Sequence, residues 1–161
     1  MVDVALLSEL SFAKGLPPRA LEALSTMAGL ETIAAWEVLF REGSQCHDLY
    51  LVQSGYFTLE TNLPGRGRVT ILNVGPGELL AWSALLGEGS MTATAMALEE
   101  SRIITLPGDK LRTLCQVDHD FGYNLMRHLV IALSKRLLAT RSHLLDSLPP
   151  VDQAPAGRDD K

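Results

Sequence analysis

The sequence predicts a mainly β fold with flanking helices, an antiparallel roll or barrel, and three observations predict it. Between residues 30 and 106, short β-compatible segments are separated by turns carrying glycine or proline. From Tyr56 to Leu63, Phe57, Leu59 and Thr61 alternate with Tyr56, Thr58 and Glu60, the two-residue period of a half-buried strand. From Pro107 onward the period becomes helical and stays so to about Leu148. Strands gathered in one block, with helices at the two ends, argue against a βαβ fold.

Each element follows from local chemistry. Residues 3–10 (DVALLSEL) form a short apolar helix. Pro17-Pro18 opens a second, running from Arg19 to Ala28, because proline is tolerated in a first helical turn; Gly29 ends it. Leu30 to Ala35 reads as a strand, and Glu37 to Gly43 as a strand entering a glycine turn. Asp48 to Gln53 is β-rich and stops at Ser54-Gly55. After the strand from Tyr56 to Leu63, Pro64-Gly65-Arg66-Gly67 makes a hairpin tip and Arg68 to Val74 returns. Two more strands are expected at Thr92–Leu98 and Ser101–Leu106, then a short helix from Gly108 to Cys115.

Asp118 or Asp120 is placed to cap the long helix that follows. Within it Met126, Val130, Leu133, Leu137, Thr140 and Leu144 follow a 4-3-4-3-4 spacing, the seam of a helix packing on a copy of itself. Leu125, Leu129 and Leu138 offer a second apolar face to cover the barrel. Two faces on one helix favour a homodimer over a lone amphipathic helix lying on its own core. Pro149-Pro150 stops the helix, and the polar residues to Lys161 are expected to be disordered. The expected organisation is N-terminal helices over 1–28, a β block over 29–106, C-terminal helices over 107–148 and a tail over 149–161.

Composition excludes several classes. The 161 residues are 47% hydrophobic and 20% charged, enough for an ample core in one domain. The net charge of −5 argues against a nucleic-acid surface on this chain. No run of 18 apolar residues occurs, and no basic-then-apolar start, so no membrane span and a cytoplasmic setting are expected. Cys46 and Cys115 lack companions at metal-ligand spacing, so no metal is expected. Neither a Ser/His/Asp set nor a carboxylate pair stands in a catalytic context, so the chain reads as a non-enzyme. The histidines at 47, 119, 128 and 143 read as solvent-facing, and Arg127, Lys135, Arg136 and Arg141 as a solvated basic face.

The stretch from Gly75 to Ala97 organises the rest. Gly75-Pro76-Gly77 breaks a strand, Glu78 follows, and an apolar run from Leu79 to Leu86 holding Trp82 reads as short and helical. Gly87-Glu88-Gly89-Ser90 is a second break, before the small residues Thr92 to Ala95. Such a cassette makes either a cradle of free N–H groups for an anion or a plug that closes the barrel mouth.

The order of Phe40-Arg41-Glu42-Gly43, Leu49-Tyr50-Leu51-Val52 with Ser54-Gly55, Gly77-Glu78-Leu79, the Ala/Thr strand and the closing helix resembles the cyclic-nucleotide-binding domain of the catabolite-activator and fumarate/nitrate-reductase regulator superfamily. The resemblance covers residues 3–148. It implies an eight-stranded antiparallel double-stranded β-roll of jelly-roll, cupin-like type, with the cassette as ligand site and the long helix as dimer axis. Glu78 matches the family glutamate that takes the ribose hydroxyl, with Gly77 and Leu79 beside it. Thr140 takes the place of a base-contacting threonine, and Arg136 that of an arginine paired with the cassette glutamate. Arg141 stands where a partner subunit reaches the ligand, and Thr92 and Thr94 offer hydroxyls. One departure matters: Met91 occupies the position of the phosphate-binding arginine. No Lys or Arg lies between Arg68 and Arg102 to replace it, and the interval from Glu78 to Met91 is longer than in the family's cAMP binders.

The reading is therefore a regulatory module that binds a small effector and signals through a dimer helix. The effector is a cyclic nucleotide, with cAMP disfavoured by Met91, or another anionic ligand. The alternatives are a ligand-free module for a protein partner, and the effector part of a transcription regulator whose DNA-binding part lies on another chain.

Overall fold

The computed structural model describes residues 1–86 and 89–148. In chain order the elements are α1 (Val4–Glu9), α2 (Pro18–Met27), β1 (Gly29–Ile33), β2 (Val38–Phe40), β3 (Asp48–Ser54), β4 (Phe57–Leu63), β5 (Gly67–Val74), β6 (Leu79–Leu80), α3 (Ser83–Leu86), β7 (Thr94–Ala97), β8 (Ser101–Pro107), α4 (Gly108–Val117) and α5 (His119–Asp146). The eight strands make two four-stranded antiparallel sheets, ordered β1-β8-β3-β6 and β2-β7-β4-β5.

Side-chain alternation divides the core in two. From β3 and β8, Leu49, Leu51, Ile104 and Leu106 face away from the roll and pack with Leu7, Leu21, Leu24, Leu111, Phe121, Leu125 and Leu129 of the helices. The adjacent Val52 and Ile103 turn inward to meet Phe57, Leu59, Val74, Ala95 and Ala97 of the second sheet, with Ala93 just before β7. β7 contributes the small residues Ala95 and Ala97 to this inner face.

The helix starts use the expected devices. Asp3 accepts from the Ala5 N–H at 2.9 Å to cap α1, and Pro18 occupies the first turn of α2. Asp118, the first of the two candidates, caps α5 by accepting from the Phe121 N–H at 3.0 Å, and it also pairs with Arg19 at 3.0 Å. Gly122 lets α5 approach α4: a Cβ there would lie 3.0 Å from the Cys115 carbonyl oxygen.

Two expectations need correction. The run from Leu79 to Leu86 is not one helix. Leu79 and Leu80 pair with Leu51 and Tyr50 as an edge strand, and only the four residues Ser83–Leu86 are helical. Fully buried leucines satisfy the sheet better than a longer helix would, and an α3 this short offers no N-terminal anion cradle. On α5, Leu125 and Leu129 cover the first sheet as expected, but Leu138 is exposed because nothing beyond Leu129 is fully buried. The expected tail over 149–161 lies outside the described residues.

Candidate functional site

The mouth of the roll holds a small cavity where the cassette, β2, β4 and α5 converge. Its wall includes Leu80, Ala81, Trp82, Met91, Thr92 and Arg136. At about 30 Å³ it has room for roughly one water molecule. Met91 is buried in this wall, pinned by its own backbone: its N–H donates to the Ser44 carbonyl at 2.9 Å and its carbonyl accepts from the Gly43 N–H at 2.7 Å. Ser83 Oγ lies 4.0 Å from Met91 Sδ.

Ala81 enters the cavity with φ +59°, a left-handed conformation that disfavours any Cβ. Trp82 lines the cavity and also packs against the core beneath the helices, so its indole bridges roll and helices. Arg136 is the cation of this wall. It reaches from α5 to donate to the Leu79 carbonyl. Burial pushes its pKa down, and the neighbouring Glu78 carboxylate opposes that shift. Thr140 turns back on its own helix and donates to the Arg136 carbonyl at 2.9 Å.

The residues expected to share one site are divided among three places. Met91, Thr92 and Arg136 meet at the roll mouth. Gly77, Glu78 and Leu79 lie in a separate groove of about 70 Å³ between the N-terminal segment and α5, beside Ser11, Phe12 and His128, with Arg136 shared. Glu78 is exposed there and accepts from the Gly75 N–H at 2.7 Å, fastening its own turn. Gly77 has φ +83°, and Ser11 sits so close that a Cβ would meet its backbone nitrogen at 2.9 Å. The Gly75–Glu78 turn thus belongs to the outer groove, and the roll mouth begins only at Leu80. Arg136 lines both cavities and is the residue through which the Glu78 groove and the roll mouth adjoin.

Thr94 lies elsewhere again, in an open polar depression of about 680 Å³ that also holds Arg41, Glu60 and Arg68. Its Oγ1 accepts from the Glu42 N–H at 3.0 Å. Glu42 uses both carboxylate oxygens on β4, accepting from Thr61 Oγ1 at 2.8 Å and the Asn62 N–H at 3.0 Å. Arg141 is exposed on α5 and lines none of these cavities.

The expected seam on α5 splits into two sets. Met126 and Leu133 pack against this chain's own core. Val130, Leu137 and Leu144 are exposed at intervals of seven, joined by exposed Ile131, Leu138 and Leu145 one residue on. Among the histidines, His128 is not solvent-facing as expected; it is half-buried and packs edge-on against Phe12 at 6.2 Å between ring centroids. Arg136 likewise leaves the solvated face assigned to it. Ala81 and Ser83 went unremarked in the sequence because an alanine in a left-handed turn has no local signature. Among the described residues no group of three metal-ligating side chains comes together, and no helix is long and apolar enough to cross a membrane.

Residues 30–118 match the cyclic nucleotide-binding domain family. The cyclic AMP receptor protein of Thermus thermophilus is 36% identical over 96 residues, 56% of this chain and 44% of that protein. The CRP-like cAMP-activated global transcriptional regulator of Mycobacterium tuberculosis is 25% identical over 142 residues, 88% of this chain and 61% of that protein. The chain thus spans about half the length of these relatives. A crystal structure of a cyclic nucleotide-binding domain from Methylobacillus flagellatus superimposes with a TM-score of 0.78 at 17% identity, covering 92% of this chain and 84% of that one. With two four-stranded sheets, a cassette at the roll mouth and a closing helix all within the matched architecture, the chain belongs to the cyclic nucleotide-binding domain family.

Proposed function

We propose that this chain is a cytoplasmic, ligand-sensing regulatory domain, not an enzyme, and that it signals as a homodimer about α5. One observation carries the reading. Arg136 joins the cavity at the roll mouth to the helix that bears the exposed apolar stripe, so an occupant of the cavity acts directly on that helix. The effector is small and anionic rather than a cyclic nucleotide. A cyclic phosphate needs a charge-assisted partner, whose loss commonly costs several kcal/mol. The wall offers the thioether of Met91 in that role, and its one guanidinium is already engaged with the Leu79 carbonyl. Admitting a nucleotide would also require Met91 and Trp82, which line this cavity of about 30 Å³, to move aside.

Calorimetry with cAMP and cGMP tests the ligand side. Binding no tighter than about micromolar, roughly −8 kcal/mol, is expected; a nanomolar titration would overturn it. A thermal-shift screen of anionic metabolites on wild type and Arg136→Met then seeks the effector, whose shift should vanish in the variant. The small size of the cavity favours a second reading, a ligand-free module for a protein partner. A screen in which no anion shifts the melting temperature would select that reading.

A further inference from the structure

The far end of the roll carries a feature that the effector cavity and the α5 stripe leave unused. Trp36, in the turn between β1 and β2, has φ +67°. A tryptophan there bears the steric cost of a left-handed backbone. Its indole belongs to neither core cluster, and the residue is 66% exposed. The turn is nonetheless firmly held. The Trp36 N–H donates to the Ala97 carbonyl at 2.8 Å, and the Ala97 N–H returns a bond to the Glu37 carbonyl at 2.9 Å. The Glu37 carboxylate accepts from the Ala34 N–H at 3.0 Å.

A second exposed aromatic flanks the same strand end. The Leu98 N–H donates to the Tyr56 carbonyl at 2.8 Å, so Trp36 and Tyr56 lie on opposite sides of residues 97–98. Tyr56 is braced from behind: a Cβ on Gly75 would meet its ring at 2.7 Å. Around this pair stand three exposed carboxylates, Glu37 and the adjacent Glu99 and Glu100 of the β7–β8 turn. Arg102, opposite Thr32 on β8, is the nearest exposed cation in sequence to that turn. Met91 and Thr92 lie at the other end of β7, so the patch is separate from the effector cavity.

We infer that the Trp36–Tyr56 end of the roll is a docking surface for a basic segment of a partner protein. The chemistry is complementary in two ways. Arginine and lysine side chains stack on the faces of tryptophan and tyrosine, and the same cations pair with a ring of carboxylates. Rigid aromatic anchors on a pre-held turn lose little conformational freedom on binding, and Trp and Tyr are enriched among residues that dominate interface energies. A strained, exposed tryptophan is explained by what it contacts in a complex, because its side chain adds to neither core cluster. The surface does not depend on the sensor reading, and it gives the ligand-free alternative a definite partner chemistry.

The test uses the indole N–H resonances of Trp36 and Trp82 in the full chain, assigned by the peak that Trp36→Gly removes. The probes are a synthetic peptide alternating arginine with glycine and a glutamate-for-arginine control. With the arginine peptide, the Trp36 signal should move saturably while the Trp82 signal stays. Half-saturation should fall below about 1 mM and weaken with salt. Replacing both Glu99 and Glu100 with glutamine should weaken binding about tenfold. Trp36→Gly should abolish binding, followed by calorimetry, while the melting temperature stays level or rises by a few degrees, since glycine tolerates this φ. That split separates a docking role from a folding role. Tyr56→Ala gives an independent loss if Trp36→Gly lowers stability instead. No movement of the Trp36 signal up to about 1 mM peptide overturns the inference. So does equal binding of the glutamate peptide, retained affinity in Trp36→Gly, or a Trp36 shift that tracks protein concentration alone and marks a second copy as the occupant.

Discussion

Replacing Leu137 with glutamate should dissolve the proposed dimer and leave the subunit intact. Leu137 is 70% exposed in the single chain, at the centre of the Val130–Leu137–Leu144 row. Full burial of a leucine is worth about 2 kcal/mol, so covering the exposed part recovers roughly 1.5 kcal/mol per chain and roughly 3 kcal/mol per dimer. Losing that much raises the dissociation constant by over 100-fold. The true change should be larger, because two carboxylates would face each other at one level of the seam. Exposed positions contribute little to subunit stability, so the melting temperature of the diluted protein should move by only a degree or two. Leu133 is the wrong choice for this experiment, since it packs on its own core and its loss would confuse folding with assembly. Sedimentation equilibrium from about 1 to about 100 µM reads the outcome directly. The reasoning fails if the wild type is monomeric throughout that range, or if Leu137→Glu associates as the wild type does.

Two further outcomes bear on the helices and the cavity. Ala81→Gly should raise stability by about 0.5–1 kcal/mol, because glycine carries no Cβ penalty at φ +59°, though it loses more chain entropy on folding; denaturant titration that finds a lower midpoint would refute this. His128 is pushed below its ordinary 6.5 chiefly by burial and by Arg127, against an opposing hydrogen bond that its imidazole donates to the Phe12 backbone carbonyl. Its folded pKa is therefore depressed, so the unfolded chain takes up its proton first. The contribution is fully present above about 6.5 and is lost as pH falls through that value toward the folded pKa. Melting curves between pH 7.5 and pH 5 should show less acid sensitivity in His128→Gln than in wild type; equal slopes would remove His128 from the account.

The sequence carried the strands well because their signals are local. Alternation in β4 and the glycine turns around β3 and β5 specify their own register. The cassette was harder. Leu79 and Leu80 look the same to a helix and to a buried strand, and only pairing with Tyr50 and Leu51 decides between them. That two-residue strand places Glu78 in the outer groove beside the cavity and Ala81 in the cavity wall, a division with no signature in the sequence. Trp36 illustrates another blind spot. Nothing in Ala34-Ala35-Trp36-Glu37 signals a positive φ, because the turn is imposed by paired bonds to Ala97, sixty-one residues further along. The seam of α5 was legible as a period but not as a division between self-packing and exposed positions, since that depends on where the first sheet ends beneath the helix.

The grip of Arg136 on Leu79 has a consequence for solubility. β6 is the outermost strand of its sheet, two residues long, and open edges of this kind invite strand addition from other molecules. The arginine from α5 satisfies an outward carbonyl of that strand and lays a charged side chain across it. Any condition that lifts the distal part of α5 would therefore uncover a sticky edge flanked by apolar helix faces while both sheets remain folded. Heating the dilute protein should then yield β-rich aggregates before the cooperative loss of the roll, and Arg136→Met should aggregate at a lower temperature than a variant of equal stability with the arginine intact.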